Sequence, residues 1–283
     1  MSATRFQPRP CNYDLINMTL QYYQVIISYK GSNYFGWQDQ GDGGEKPTVQ
    51  FEMLKALRKI CGFAYCIVAG ASRTDGGVHA QGQVAKLSIP LSIDPAKLLL
   101  GLNSLLPSDI RLLSCLSCAK DFNPNKNCVS KKYRYYFTIE KVSLPALSDI
   151  VAHVPLLAHD SQQELSFNKK VSEACDVFVG EHDFYSFSTR DKSVSSSVRR
   201  VNKLELLKSN LSDFGITVYY LEIEGDGFLK HMIRYIVAAL FEVGRGKVDS
   251  SLIEEELMNP SQDKICPKAK AKGLHLIEIT YKE

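Results

Sequence analysis

Ala71-Ser72-Arg73-Thr74-Asp75-Gly76-Gly77-Val78-His79 packs a cation, a carboxylate, an imidazole and adjacent glycines into one short stretch. Paired glycines let the backbone turn through conformations closed to other residues and let a ligand approach closely. A carboxylate held in such a loop, here Asp75, can act as a nucleophile or as a base. On composition alone the alternative is a turn in which Asp75 caps the chain and pairs with Arg73. A glycosidase built on Asp75 and His79 lacks the second acid that activates water in such enzymes. No GxxxxGK[ST] loop or metal-ligand constellation accompanies the stretch, so no cofactor is expected. Cys115 and Cys118 have the spacing of half a zinc site, but without a second pair they read as strand residues.

Thirty-four basic residues against 31 acidic ones give a net charge of +3, too small to announce a nucleic-acid binder. Distribution must carry that argument. Lys120 to Arg134 holds five basic residues against Asp121 alone, and Thr189 to Lys203 holds five against Asp191 alone. Either segment can line a phosphate-binding surface or be an ordinary solvated loop. Within the first, Tyr133 and Tyr135 share a strand face by the two-residue period, so either can be a core residue or a platform for a base. Stacking a base on such a ring typically contributes about 1 to 3 kcal/mol.

These residues need a scaffold, and 283 residues with 45% hydrophobic side chains suffice for two packed domains. Strand patterns occupy Tyr22 to Tyr29, Tyr65 to Ala69, Gln83 to Ile89 and Ile110 to Leu116. A helix with Thr48 at its start runs through Cys61, and Pro95 opens another through Leu102. The order β-α-β-β-α-β is that of a split βαβ unit, with helices layered on an antiparallel sheet. A linker over Phe122 to Cys128 leads to a strand from Tyr133 to Glu140, a helix from Gln162 to Val179, and strands over Val198 to Leu207 and Ile216 to Glu224. A second long helix carries the apolar stripe Phe228, Met232, Tyr235, Ile236, Ala239, Leu240 and Val243, with Arg234 on its other side. Leu274 to Tyr281 closes as a strand. The division expected is a flexible segment 1–18, a domain 19–118 and a domain 119–283. No apolar run is long enough to span a membrane, and irregular cysteines with no secretory signal point to the cytoplasm.

Arg73-Thr74-Asp75-Gly76-Gly77-Val78-His79 closely resembles the Arg-Thr-Asp-Ala-Gly-Val-His signature of the TruA family of tRNA pseudouridine synthases. Tyr34-Phe35-Gly36-Trp37-Gln38-Asp39-Gln40, Lys132-Tyr133-Arg134-Tyr135, Gly180-Glu181-His182-Asp183-Phe184 and Gly227-Phe228-Leu229-Lys230-His231-Met232-Ile233-Arg234 resemble further family segments, in the same order. The resemblance implies an α/β protein of two ferredoxin-like domains joined around a basic central cleft, a homodimer that binds tRNA and needs no cofactor. It implies Asp75 as the catalytic aspartate, Tyr133 as the tyrosine stacked on the target base, Arg73 as the base-displacing arginine and Arg234 as the partner of Asp75. A bidentate guanidinium contact would hold that carboxylate ionised and oriented. Gln38, Lys131 and Lys132 are candidates for RNA contact.

This sequence departs from the family pattern in several places. Gly76 stands for the usual alanine, Ser72 for a glycine, Tyr235 for the asparagine after Arg234, and Asp121-Phe122-Asn123-Pro124-Asn125 for Asp-Phe-His-Ala-Arg. Gly76 is expected to loosen the loop, and Asn125 to remove a basic contact. The expected activity is isomerisation of uridine to pseudouridine in tRNA, at positions 38 to 40 of the anticodon arm. The alternatives are a synthase of the same family acting on other tRNA positions or another RNA, and a non-catalytic RNA-binding module.

Overall fold

A computed structural model of the protein describes residues 19–41, 45–156, 161–191, 194–209 and 215–282. The expected N-terminal segment 1–18 lies outside them. In β1 (Gln21–Tyr29) the alternation of the sequence becomes an alternation of burial, with Tyr23, Val25, Ile27 and Tyr29 turned into the core. At α1 (Val49–Ile60) the Thr48 side chain accepts the Phe51 N–H, and Val49, Met53, Ala56 and Leu57 form the buried side. β2 (Ile67–Gly70) and β3 (His79–Ile89) follow. α2 (Pro95–Leu105) is capped by the Asp94 carboxylate, which accepts from Ala96 and Lys97, and β4 (Ile110–Ser117) completes the first half.

The second half comprises β5 (Cys128–Thr138), the short β6 (Ala152–His153), α3 (Ser161–Cys175), β7 (Gly180–Asp183), β8 (Val198–Lys208), β9 (Tyr219–Gly225), α4 (Met232–Gly244), α5 (Ser250–Met258) and β10 (Leu274–Tyr281). β5 begins at Cys128, inside the expected linker, because β10 supplies partners for Cys128, Ser130 and Lys131. α3 is shorter than expected, since the chain tightens into a 3-10 turn over Asp176–Phe178 before Gly180 opens β7. α5 has no counterpart in the sequence reading: it buries only Ile253 and Leu257, too few residues to declare a stripe.

All strands join one mixed sheet in the order β4-β1-β3-β10-β5-β9-β8-β7, with β2 also on β3 and β6 on β5. Within it a single order occurs twice, β4-β1-β3-β2 and β10-β5-β9-β8, every neighbouring pair antiparallel. The seam between the two sets is β10, which runs parallel to β3 through His275 opposite His79 and Leu276 opposite Ala80. The mixed α and β architecture agrees with the expected fold class. Buried residues of both halves merge into one core, and α4 covers the face of β5 that carries Tyr135 and Phe137, both edge-on or tilted against Phe241.

Candidate active site

Residues 71–78 join β2 to β3, and their conformation is set from behind. Gln83, fully buried, accepts the Ser72 N–H at 3.1 Å and donates to the Ser72 carbonyl at 2.7 Å. Thr74 shares a 2.7 Å hydrogen bond with the Tyr29 hydroxyl, and its carbonyl accepts the Trp37 N–H at 3.0 Å. Gly36 forms a bridge with Asp75. It holds φ +108, and a Cβ there would fall 2.6 Å from the Thr74 carbonyl oxygen. The segment around Gly36 and Trp37 is therefore the backing of the loop, although it lies far from it in sequence. A turn closes as Val78 N–H donates to the Asp75 carbonyl at 3.1 Å. Gly77, at φ +80, sits at the position that requires a left-handed residue.

The turn anticipated from composition is present, but the Asp75 side chain does not turn to Arg73. Arg234, in the first turn of α4, places Nη1 3.2 Å from Asp75 Oδ2. The contact is single, not the expected bidentate one, because Arg234 Nε donates to the Ala269 carbonyl at 2.8 Å. That second bond fixes the guanidinium, and Ala269 N–H returns a 3.0 Å bond to the Arg234 carbonyl. His231 Nε2 lies 3.4 Å from the same Oδ2. Burial pushes the His231 imidazole below its ordinary range, opposed by Asp75 and reinforced by Lys268, Arg234 and Lys230.

Tyr133 reaches the site because the register aligns it with Leu276 of β10, itself opposite Ala80 just past the loop. Its hydroxyl meets Ser72 Oγ at 2.6 Å, and its ring packs edge-on against Phe228 at 5.3 Å. Burial raises the phenol to about 12, with the Ser72 hydrogen bond acting in the opposite direction and the Asp75 charge adding to the rise. The phenol thus stays protonated at neutral pH. Both rings are buried, and Tyr133 is the one that lines the cleft; the Tyr135 hydroxyl is bonded to the Lys270 carbonyl at 2.9 Å.

A cleft of about 960 Å³ gathers Gln38, Arg73, Asp75, Lys131, Tyr133 and Arg234. Its lining cations Arg73, Lys131, Arg199, Lys230 and Arg234 outnumber the carboxylates Asp75, Asp191 and Asp226. Arg73 is exposed, whereas Gln38 is partly engaged, donating to Gln50 at 2.7 Å. Lys131 is buried, and its ammonium donates to the Ala71 carbonyl at 2.8 Å and to Asn125 at 3.1 Å. Burial lowers its pKa. Asn125, where the family reads arginine, thus braces this lysine.

Lys132 is not brought to the cleft. It lies on the other face of β5, paired with Glu278 at 2.9 Å. His79 is also turned away: it is 2% exposed, accepts the Gly31 N–H through Nδ1 and stacks on His275 with ring centroids 4.5 Å apart. Gly76 is free of strain, since a Cβ there would find ordinary 3.4 Å contacts with Phe35. The left-handed conformation of the turn falls on Gly77 and not on Gly76. Cys115 and Cys118 are free thiols at the end of β4, and burial raises both. Sequence reasoning assigned no role to His231, Ser72 or Gln83. For His231 the signal was its place one turn before Arg234 in a segment already singled out.

Comparison with known proteins gives the family. The family model described as tRNA pseudouridine synthase matches residues 174–282. The chain is 47% identical over 265 residues to tRNA pseudouridine synthase A 2 of Desulfotalea psychrophila, covering 92% of this chain and 98% of that protein. It is 35% identical to tRNA pseudouridine synthase A 2 of Protochlamydia amoebophila, covering 94% and 96% respectively. With tRNA pseudouridine synthase A of Myxococcus xanthus the identity is 31%, over 92% of each. Likeness of this extent along nearly the whole length places the chain in the TruA family of tRNA pseudouridine synthases.

Proposed function

We propose that this protein isomerises uridine to pseudouridine in tRNA, with Asp75 as the catalytic carboxylate. The observation that carries the reading is an aspartate in a cleft lined by more cations than carboxylates, its Oδ2 held by Arg234 at 3.2 Å, beside an aromatic ring and an exposed arginine. The reaction breaks the bond from ribose C1′ to uracil N1, rotates the base and joins C1′ to C5, from which a proton leaves as N1 gains one. It needs no redox step and no outside energy. A single carboxylate can serve by attacking C1′, by adding to C6 or by removing the 2′ proton to give a glycal. The target base must leave its stack, and Arg73 is suited to occupy the vacated space and to contact phosphate. Tyr133 offers its ring to the extruded uracil, and its Ser72 bond fixes the ring's angle.

The substrate uridines are those at positions 38 to 40 of the anticodon arm, the working form is a cytoplasmic homodimer, and no cofactor takes part. Residues 19–118 and 119–283 act as two domains that grip the RNA across the cleft. Among the described residues no helix is long and apolar enough to cross a membrane. Tritium release from tRNA labelled at uridine C5 tests the chemistry directly, because transfer of C1′ to C5 expels that hydrogen. The protein releases tritium and Asp75→Asn releases none. Binding without release by the unaltered protein would leave an RNA-binding module in place of an enzyme.

A further inference from the structure

We propose that His231 is a positioning residue for Asp75: a neutral imidazole, oriented by Thr189, donates Nε2–H to Oδ2 and leaves Oδ1 as the oxygen presented to the substrate. The inference rests on the reading of Asp75 as the catalytic carboxylate. His231 Nε2 and Arg234 Nη1 approach Oδ2 at 3.4 and 3.2 Å, and neither engages Oδ1. Two donors on one oxygen fix the carboxylate plane while the other oxygen keeps its lone pairs for chemistry. At 3.4 Å the His231 contact falls short of a formed hydrogen bond in the free protein and closes to one when substrate binds.

The tautomer follows from the neighbours. Thr189 Oγ1 lies 2.8 Å from His231 Nδ1. The ionised Asp75 carboxylate can only accept, so the single proton of the neutral imidazole sits on Nε2, which faces it, and Nδ1 accepts from the Thr189 hydroxyl. Burial, and after it the cations around the ring, keep it neutral. Lys268 Nζ stands 3.5 Å from both ring nitrogens, Arg234 and Lys230 add positive charge, and Asp75 alone favours the imidazolium. Thr189 is itself anchored, its N–H donating to the Lys230 carbonyl at 2.9 Å.

The backbone carries an independent mark. His231 holds φ +63 and ψ 3 immediately before α4 and provides no side-chain cap for that helix. Among the described residues only Phe63 and His231 combine a side chain with positive φ. A helix start ordinarily takes an extended residue whose side chain accepts an N–H. Here the usual cap is absent, and a left-handed residue sends the imidazole back towards Asp75, the kind of local departure that gathers at working sites.

The test compares His231→Leu, His231→Gln and Thr189→Val in single-turnover tritium release from C5-labelled tRNA, with binding measured separately. His231→Leu slows the chemical step about tenfold or more and leaves tRNA affinity within about twofold. His231→Gln, whose amide N–H extends to the position of Nε2, restores most of that rate. Thr189→Val removes the hydroxyl without changing side-chain shape, slows the step about threefold and moves the His231 ring 15N resonances towards the Nδ1–H tautomer. The proposal is overturned if His231→Gln is as slow as His231→Leu, or if Thr189→Val changes neither rate nor tautomer. Thr189→Val keeps the test valid should His231→Leu fail to fold. Asp75→Asn in the same assay separates the two readings: an active Asp75→Asn overturns the catalytic aspartate, whereas an inactive one beside full-rate His231 and Thr189 variants overturns only the role of His231.

Discussion

The two halves share a strand order and differ in what they do with it. In the first, β4 is an outer strand, with Leu113 and Leu116 56% and 63% exposed. In the second, its counterpart β10 is enclosed between β5 and β3, and Leu276 is fully buried. Helix starts differ in the same way. α2 begins with Asp94 accepting two backbone N–H groups and Pro95 in the first turn, a regular cap whose side chain is fully occupied with the helix. α4 begins with left-handed His231, and its first turn sends Arg234 to Asp75. The loop that bears the carboxylate belongs to the first half, and the groups that hold it belong to the second. A repeated scaffold therefore acquires its site at the seam, where one copy gives up its own regularity to complete the other.

Shortening the paired leucines gives the largest test of this contrast. Leu276→Ala removes fully buried methyl groups at the seam and costs about 2 to 5 kcal/mol. Leu116→Ala on the exposed strand stays within about 0.5 kcal/mol. Urea unfolding of the two variants reads both, and equal losses would make the seam no more critical than the edge.

Acid acts on the same place. Burial pushes His79 down to about 4 and His275 to about 3, with the charge of His79 adding to the fall at His275. An unfolded histidine takes up its proton near pH 6.5. Between that pH and about 4 the unfolded chain binds more protons than the folded one, so stability is full above about 6.5 and falls as pH drops. The loss for His79 alone is about 3 kcal/mol by pH 4. Unfolding midpoints measured from pH 7 to 4 follow that slope, and His79→Asn makes it shallower while His275 keeps its share.

A smaller effect separates the cleft from the far face of β5. Arg73→Ala lowers the slope of log affinity for tRNA against log salt by about one. Lys132→Ala leaves it unchanged, since that ammonium faces Glu278. The smallest effect belongs to the turn after Asp75: Gly76→Ala gains about 0.4 to 1 kcal/mol in thermal unfolding, because the position accepts a Cβ and the unfolded chain loses freedom.

Much of the scaffold is written locally. Alternation along β1, the Thr48 cap, Pro95 and the stripe of α4 each state their own element, because a strand face or a helix side repeats within a few residues. Asp75, Arg73, Tyr133 and Arg234 were legible through motifs, and all four line the cleft. What escaped depends on partners distant in sequence. That β10 lies between β3 and β5 is a fact of pairing and not of pattern, and from it follow the early start of β5 and the burial of Lys131. His231 escaped because its function hangs on a backbone angle. Ser72 looked like a minor exchange for glycine, although its hydroxyl is the partner of Tyr133.

The insertion of β10 also bears on how the chain reaches this state. Pairing His275 with His79 brings together segments separated by most of the described chain, and such distant contacts form slowly, after the local hairpins. Until β10 enters, β3 and β5 each present an open edge able to pair with another molecule. Dilution and low temperature during refolding therefore favour the correct closure, and catalytic activity appears in the last kinetic phase, together with the seam and not with the bulk of secondary structure.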